Sequence, residues 1–239
     1  SGHQIQINAV RTERTIKNII MRNWIIRYAV FIIGLYFLTL GVVLIIRSSL
    51  GTSPISSFSY VLSLNTPLTL GMATFILNML LIAGQFWFLR GIGTRRDYME
   101  IMMQIPFSLL FSAFLDINMY LFRDMTPESY AGALAFLAAG CLIQAFGVEL
   151  EIKPNVVAMS GEGFVKYAAR RFGKDFGRVK VMVDVGLVLI AVVTSLAMTH
   201  SIIGVREGTL VAALGVGLLV SFINTRLISH IPVHRILRR

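Results

Sequence analysis

The chain has 239 residues, of which 56% are hydrophobic and only 14% charged, with a mean hydropathy of +0.74. A soluble domain of that length has no interior large enough to hide so much apolar surface, so an integral membrane protein is expected. The net charge of +10 does not point to nucleic acid, because the basic residues lie between hydrophobic runs rather than on a separate polar module; membrane topology and anionic lipid headgroups account for them better.

Residues 1–23 form a basic tail with Arg11, Arg14, Lys17 and Arg22. Six runs long enough to span a bilayer follow, near 24–46, 68–90, 99–122, 130–150, 179–201 and 207–228. Each approaches the roughly 20 apolar residues that a spanning helix needs. Residues 229–239 form a closing basic tail. Every second connection is basic: Arg90, Arg95 and Arg96 follow the second run, and Lys166, Arg170, Arg171, Lys174 and Arg178 follow the fourth. The connections near 47–67, 122–130 and 201–207 are poor in Lys and Arg. That alternation predicts a multi-pass protein with both termini in the cytoplasm.

Two connections are unusual. Ser48–Pro67 is too apolar for a solvated loop and too short and polar for a full span. Its Ser53-Pro54 pair suits a helix start, with Ser as N-cap and Pro in the first turn. The spacing predicts a short helix from Pro54 that dips into the membrane. In 154–178, Phe164, Tyr167, Ala168, Phe172 and Phe176 recur at helical spacing. This second short helix is re-entrant or lies in the interface.

The chain also reads itself twice, at an offset of 106 residues: Gly34 falls on Gly140, Gly41 on Gly147, Phe58 on Phe164, Gly71 on Gly177, Asn78 on Asp184 and Asn118 on Asn224. With three spans per copy, 24–122 and 130–228 insert in opposite senses. The expected fold is therefore an all-α membrane protein of six transmembrane helices, built as two inverted three-helix repeats with short helices after the first and fourth spans. Such repeats frame midplane sites in small-solute transporters.

Polar groups within apolar runs mark the candidate substrate-binding residues, because an intramembrane charge costs roughly 2.5–3.5 kcal/mol on insertion scales. They are Asp116 and Asp184, with the neutral Asn78, Gln104, Asn118 and Asn224. For the amides, interhelical hydrogen bonding is the competing role. Glu149 and Glu151 are expected to snorkel toward Lys153. The turns Gly51-Thr-Ser53-Pro54 and Ser160-Gly161-Glu162 present backbone N–H groups at helix starts, which suit an anionic ligand group or simple capping. Gly51, Pro54, Gly71, Gly161 and Gly177 are structural candidates.

No Walker loop, Gly-x-Gly-x-x-Gly, Cys-x-x-Cys or His-Glu-x-x-His occurs, and no nucleophile–base pair is evident. No cofactor, metal or enzymatic activity is expected. Gly208, Gly215 and Gly217 of the last run offer a close-packing face, either to a helix of the same chain or to a second copy in a homodimer.

Leu50-Gly-Thr-Ser-Pro54, Leu70-Gly71, Ile76-Leu-Asn-Met-Leu-Leu81 and Glu207-Gly-Thr-Leu-Val-Ala-Ala-Leu-Gly-Val-Gly217 resemble the YitT/YczE group of small bacterial membrane proteins. The resemblance implies a bacterial inner-membrane location and a transport-type role, without a substrate. It also implies an acidic residue two places after the first-turn Pro; Ser56 stands there, and its repeat mate Glu162 keeps the acid. The expected function is secondary transport or export of a small polar, anionic or zwitterionic solute. The alternatives are a substrate-capture subunit of a larger transporter and a non-transporting accessory protein.

Overall fold

The computed structural model describes residues 2–200 and 206–226, with side chains from Asn23 onward except those of 207, 210, 214, 221 and 224–226, and among these residues there is helix and connection but no strand. The helices are α1 (Gly2–Arg47), α2 (Pro54–Asn65), α3 (Leu70–Leu89), α4 (Arg95–Leu121), α5 (Tyr130–Ile152), α6 (Ser160–Phe172), α7 (Phe176–Thr199) and α8 (Glu207–Arg226). Five segments are long and apolar enough to cross a membrane: Asn23–Arg47, Leu70–Leu89, Arg95–Leu121, Tyr130–Ile152 and Phe176–Thr199. They match the first five expected runs to within a few residues. The sixth run falls in α8, whose described apolar stretch is Val211–Val220. Large apolar side chains such as Leu80, Trp87, Leu109, Leu189 and Val193 face outward. Long apolar helices with apolar outer faces fit a multi-pass membrane protein, where lipid replaces water as the solvent.

Local signals set the helix starts. Pro54 opens α2 after Ser53. The Thr69 hydroxyl accepts from Met72 N–H at the start of α3, and the Asp175 carboxylate accepts from Arg178 N–H at the start of α7. Thr94 and Asp97 close a reciprocal capping box on α4. Gly173, in the left-handed region at φ +62°, ends α6. The register is notable: α6 begins 106 residues after α2, α7 begins 106 after α3, and the caps Thr69 and Asp175 share that offset.

The central contact is between α1 and α5. A Cβ on Gly34 would meet Glu151 N at 2.7 Å, and one on Gly41 would meet the Gln144 backbone; one on Gly147 would meet the Leu38 backbone, and one on Gly140 would meet Ile45 Cγ1 at 2.7 Å. As the α1 number rises by seven from 34 to 41, its α5 partner falls by seven from 151 to 144. The two helices are therefore antiparallel, and glycines let their backbones approach as in other lipid-embedded pairs. Around this seam, α4 packs on α1 and α8 on α5, while α2 packs on α7 and α3, and α6 on α3 and α7.

Hydrogen bonds sort the connections between the two ends of the bundle. At one end Arg47 Nη2 donates to Met119 O (2.9 Å), Arg206 Nη1 to Ser49 O (3.1 Å) and Gly208 N–H to Leu50 O (2.8 Å). At the other, Lys166 pairs with Glu100 (2.7 Å), Arg170 with Asp97 (3.0 Å), and Arg171 Nη1 reaches Arg90 O (3.4 Å). The two basic connections thus share one end.

Candidate functional site where the short helices meet

Helices α2 and α6 approach each other through their first turns. The contact is a side-chain one: a Cβ on Gly161 would meet the flexible tip of Ile55, its Cδ1. Neither start carries a side-chain cap bond. Beside them, Ile55, Phe58, Leu77, Leu81, Phe164, Val183 and Leu187 form one apolar cluster from α2, α3, α6 and α7.

On the α6 side this cluster adjoins a buried polar network. Ser160 Oγ donates to Asn78 Oδ1 (2.7 Å), and Gln85 Nε2 donates to Ser160 O (3.1 Å). Gln85 and Gln104 exchange reciprocal amide bonds of 2.8 and 2.9 Å, and both are fully buried. Asn78 and Gln85 lie seven residues apart, on one face of α3. Gly163 lets α6 pass beneath the amide pair: a Cβ there would stand 2.6 Å from Gln104 Nε2 and 2.7 Å from Gln85 Oε1. Satisfied buried amides of this kind hold helices in one register.

On the α2 side the polar groups are hydroxyls. Ser53 Oγ donates to Ser56 Oγ (2.9 Å), and Thr52 Oγ1 shares a 2.7 Å bond with Ser57 Oγ. Gly51, at φ +148°, turns the chain onto the start of α8, where Thr52 N–H donates to Thr209 Oγ1 (3.2 Å). That φ and the close approach to Gly208 and Thr209 both exclude a side chain at Gly51.

Charged groups complete the site. Asp184 pairs with Lys180 on α7 at 2.8 Å, and both stand beside Glu162 in the first turn of α6. Burial pushes the Glu162 carboxyl above the ordinary glutamate range; Lys180 draws it back down and Asp184 pushes it further up. Glu149 reaches Lys153 at 3.9 Å, the partner expected for it, but from a position as buried as that of Glu151 rather than at the water interface. Glu151 departs from that expectation. It is 3% exposed, its backbone N lies against Gly34 of α1, and among the described residues it makes no ion pair with Lys153.

The structure thus brings together Asn78, Gln104, Ser160, Gly161, Glu162 and Asp184, with Ser53 and Pro54 at the abutting start of α2. Other candidates lie elsewhere. Asp116 caps α3: its carboxylate accepts from Thr69 Oγ1 (2.6 Å) and Gly71 N–H (2.7 Å). Gly71 is pressed against Ser112 O and that carboxylate, and Gly177 occupies the matching turn of α7 behind Asp175. Asn118 ties α4 to α1 through Thr39 Oγ1 (3.0 Å). The side chain of Asn224 and the tail 229–239 lie outside the described residues. Sequence reasoning missed Gln85 and the interior positions of Glu149 and Glu151. Gln85 has Ala191 as repeat mate, so comparison of the copies did not flag it; a lone amide in an apolar run was the available signal.

A family of unknown function (DUF6198) has a model that matches residues 25–225. No curated protein and no solved structure matches the chain.

Proposed function

We propose, for a chain that belongs to this family of unknown function, a role as a secondary transporter or exporter of a small polar solute, anionic or zwitterionic. In this reading it spans the membrane six times, as two three-helix units inserted in opposite senses. What supports the repeat is the shared offset of helix starts and caps, and a packing pattern that exchanges into itself: α2 on α7 matches α6 on α3, and α1 on α4 matches α5 on α8. The α1–α5 register does the same, since Gly34 against Glu151 becomes Gly140 against Ile45 when each residue is replaced by its mate.

The observation that carries the transport reading is the meeting of two short helices, start to start, beside buried polar and charged side chains. Half-helices of this kind form substrate sites in transporters, because their N-terminal N–H groups attract anionic groups at depth. Rocking of one unit against the other about the α1–α5 seam would expose that region to each side in turn. The resemblance to the YitT/YczE group adds the expectation of a bacterial inner membrane. The basic end of the bundle would face the cytoplasm and its anionic headgroups, with both termini there.

Two measurements test this. In proteoliposomes, flux of at least one small anionic or zwitterionic solute is expected, with or without a pH gradient; a panel with no flux would remove the transport reading. Membrane-impermeant labelling of Thr66→Cys and Arg170→Cys, in a background lacking Cys141, is expected on opposite faces. Labelling from the same face would remove the inverted arrangement.

A further inference from the structure

We infer that the contact between α3 and α4 is a hydrated seam, binding internal water at Asn78, Ser108 and Ser112 and so joining the Asp116 end of the bundle to the first turn of α6. Contacts at both ends of this stretch fix the register. At one end Gly71 N–H donates to Asp116 Oδ1 (2.7 Å), and Gly71 is pressed against Ser112 O. At the other, Gln85 and Gln104 exchange their amide bonds of 2.8 and 2.9 Å. Asn78 lies seven residues from both Gly71 and Gln85, so it shares their line along α3. Ser108 lies four residues from both Gln104 and Ser112, on one row of α4. The two antiparallel rows therefore bring Asn78 opposite Ser108, midway between the fixed ends.

The row on α4 is polar at four successive positions, Gln104, Ser108, Ser112 and Asp116. Its end members are satisfied, Gln104 by Gln85 and Asp116 by Thr69 and Gly71. The middle members are not. Ser108 is 0% exposed and Ser112 5%, and among the described residues neither hydroxyl makes a hydrogen bond. Asn78 gives its Oδ1 to Ser160 Oγ at 2.7 Å, which leaves its amide N–H groups as donors. Buried hydroxyls and amides normally have partners, so this stretch calls for a small ligand that both donates and accepts. Water fits: it needs roughly two to four polar partners and little room. The scaffold does not require this polarity. The repeat mates of the row are Leu210, Leu214, Leu218 and Phe222, so the same helix position in the second copy is apolar throughout. Interhelical bonding demanded by the fold therefore does not explain the row. Leu70, Phe107, Phe111 and Leu115 pack together in the apolar core beside the seam. As the approach to a transport site the seam rests on the function proposed above; as a water site it stands independently.

The experiment is hydrogen–deuterium exchange of a single thiol, read from the infrared S–H stretch of the full chain in lipid nanodiscs moved into heavy water. Ser108→Cys and Ser112→Cys are made in a Cys141→Ala background. Wild-type Cys141, buried among Ile45, Leu137 and Ala212, is the dry control, and Leu109→Cys is the outward-facing one. Thiol exchange passes through the thiolate, which water favours and apolar burial suppresses. The thiols at 108 and 112 are expected to exchange about tenfold faster than both controls, or more. Exchange as slow as that of Cys141 at either position would overturn the assignment, as would equal exchange at Leu109→Cys. Slowing by sodium chloride but not by choline chloride would also overturn it, in favour of a bound cation. On the wild-type chain, solid-state NMR with selective excitation of water is expected to pass magnetisation to the Asn78 side-chain amide. Absence of that transfer would overturn the assignment without any variant having to fold. No flux is measured, so this result and the transport assay can fail separately.

Discussion

Replacing Gly41 by Ala places a methyl group 2.6 Å from Gln144 Cα, and replacing Gly147 by Ala places one 2.7 Å from Leu38 Cα. Both obstacles are backbone, so neither can swing aside, and relief requires α1 and α5 to move apart along their seam. Overpacking of this kind costs about 1–3 kcal/mol, and the rigid neighbours place these sites near the upper end. Alanine returns about 1 kcal/mol through its better helix propensity. The net loss is about 2 kcal/mol, or about 4–8 °C in unfolding midpoint for a chain of this size. Gly186 supplies the control, since nothing lies within 4 Å of a Cβ there; Gly186→Ala is expected to leave the midpoint unchanged or slightly raised. The assay is thermal unfolding of the three variants in one detergent, followed by size-exclusion fluorescence. Gly41→Ala and Gly147→Ala are expected to fall together, because they are repeat mates on one seam. If Gly41→Ala is as stable as Gly186→Ala, the antiparallel glycine seam is refuted.

Gln104→Ala is expected to cost about 1–3 kcal/mol by leaving the buried Gln85 amide half-satisfied. Gln85→Leu with Gln104→Leu should cost less than the two single changes added, and equal additivity in thermal unfolding would contradict the reciprocal pair. Asp116→Ala is expected to lower stability by about 1 kcal/mol through loss of the α3 cap, with any flux unchanged once the protein is folded; loss of flux at full stability would return Asp116 to the substrate site. Glu162 binds its proton more tightly in the folded chain than in the unfolded one, so its contribution is fully present at low pH. It is lost as pH rises above the ordinary value of 4.5 toward the raised folded value. The midpoint of Glu162→Gln relative to wild type should therefore climb as pH rises from acid to neutral, and a pH-independent difference would show that Glu162 is not strained by burial.

The sequence by itself determined the elements and their order. Length and hydropathy of each run follow from local composition, so the apolar helices were legible to within a few residues. Ser53-Pro54 and the periodicity after Met159 announced the two short helices, because caps and amphipathic spacing act within a few residues of the chain. The 106-residue offset was legible for the same reason: it is a property of the chain, and the matched starts of α2 with α6 and α3 with α7 carry it into the structure.

Partnership was decided only by the tertiary structure. Asp116 and Asp184 look alike in sequence, yet one caps α3 and the other pairs with Lys180 beside Glu162. Glu149 and Glu151 stand two residues apart in one helix turn and are equally buried, yet one reaches Lys153 and the other makes no ion pair among the described residues. Which partner a polar group in a membrane meets depends on the crossing of helices far apart in the chain, and here that crossing is set by how closely the glycines of α1 and α5 let two backbones approach.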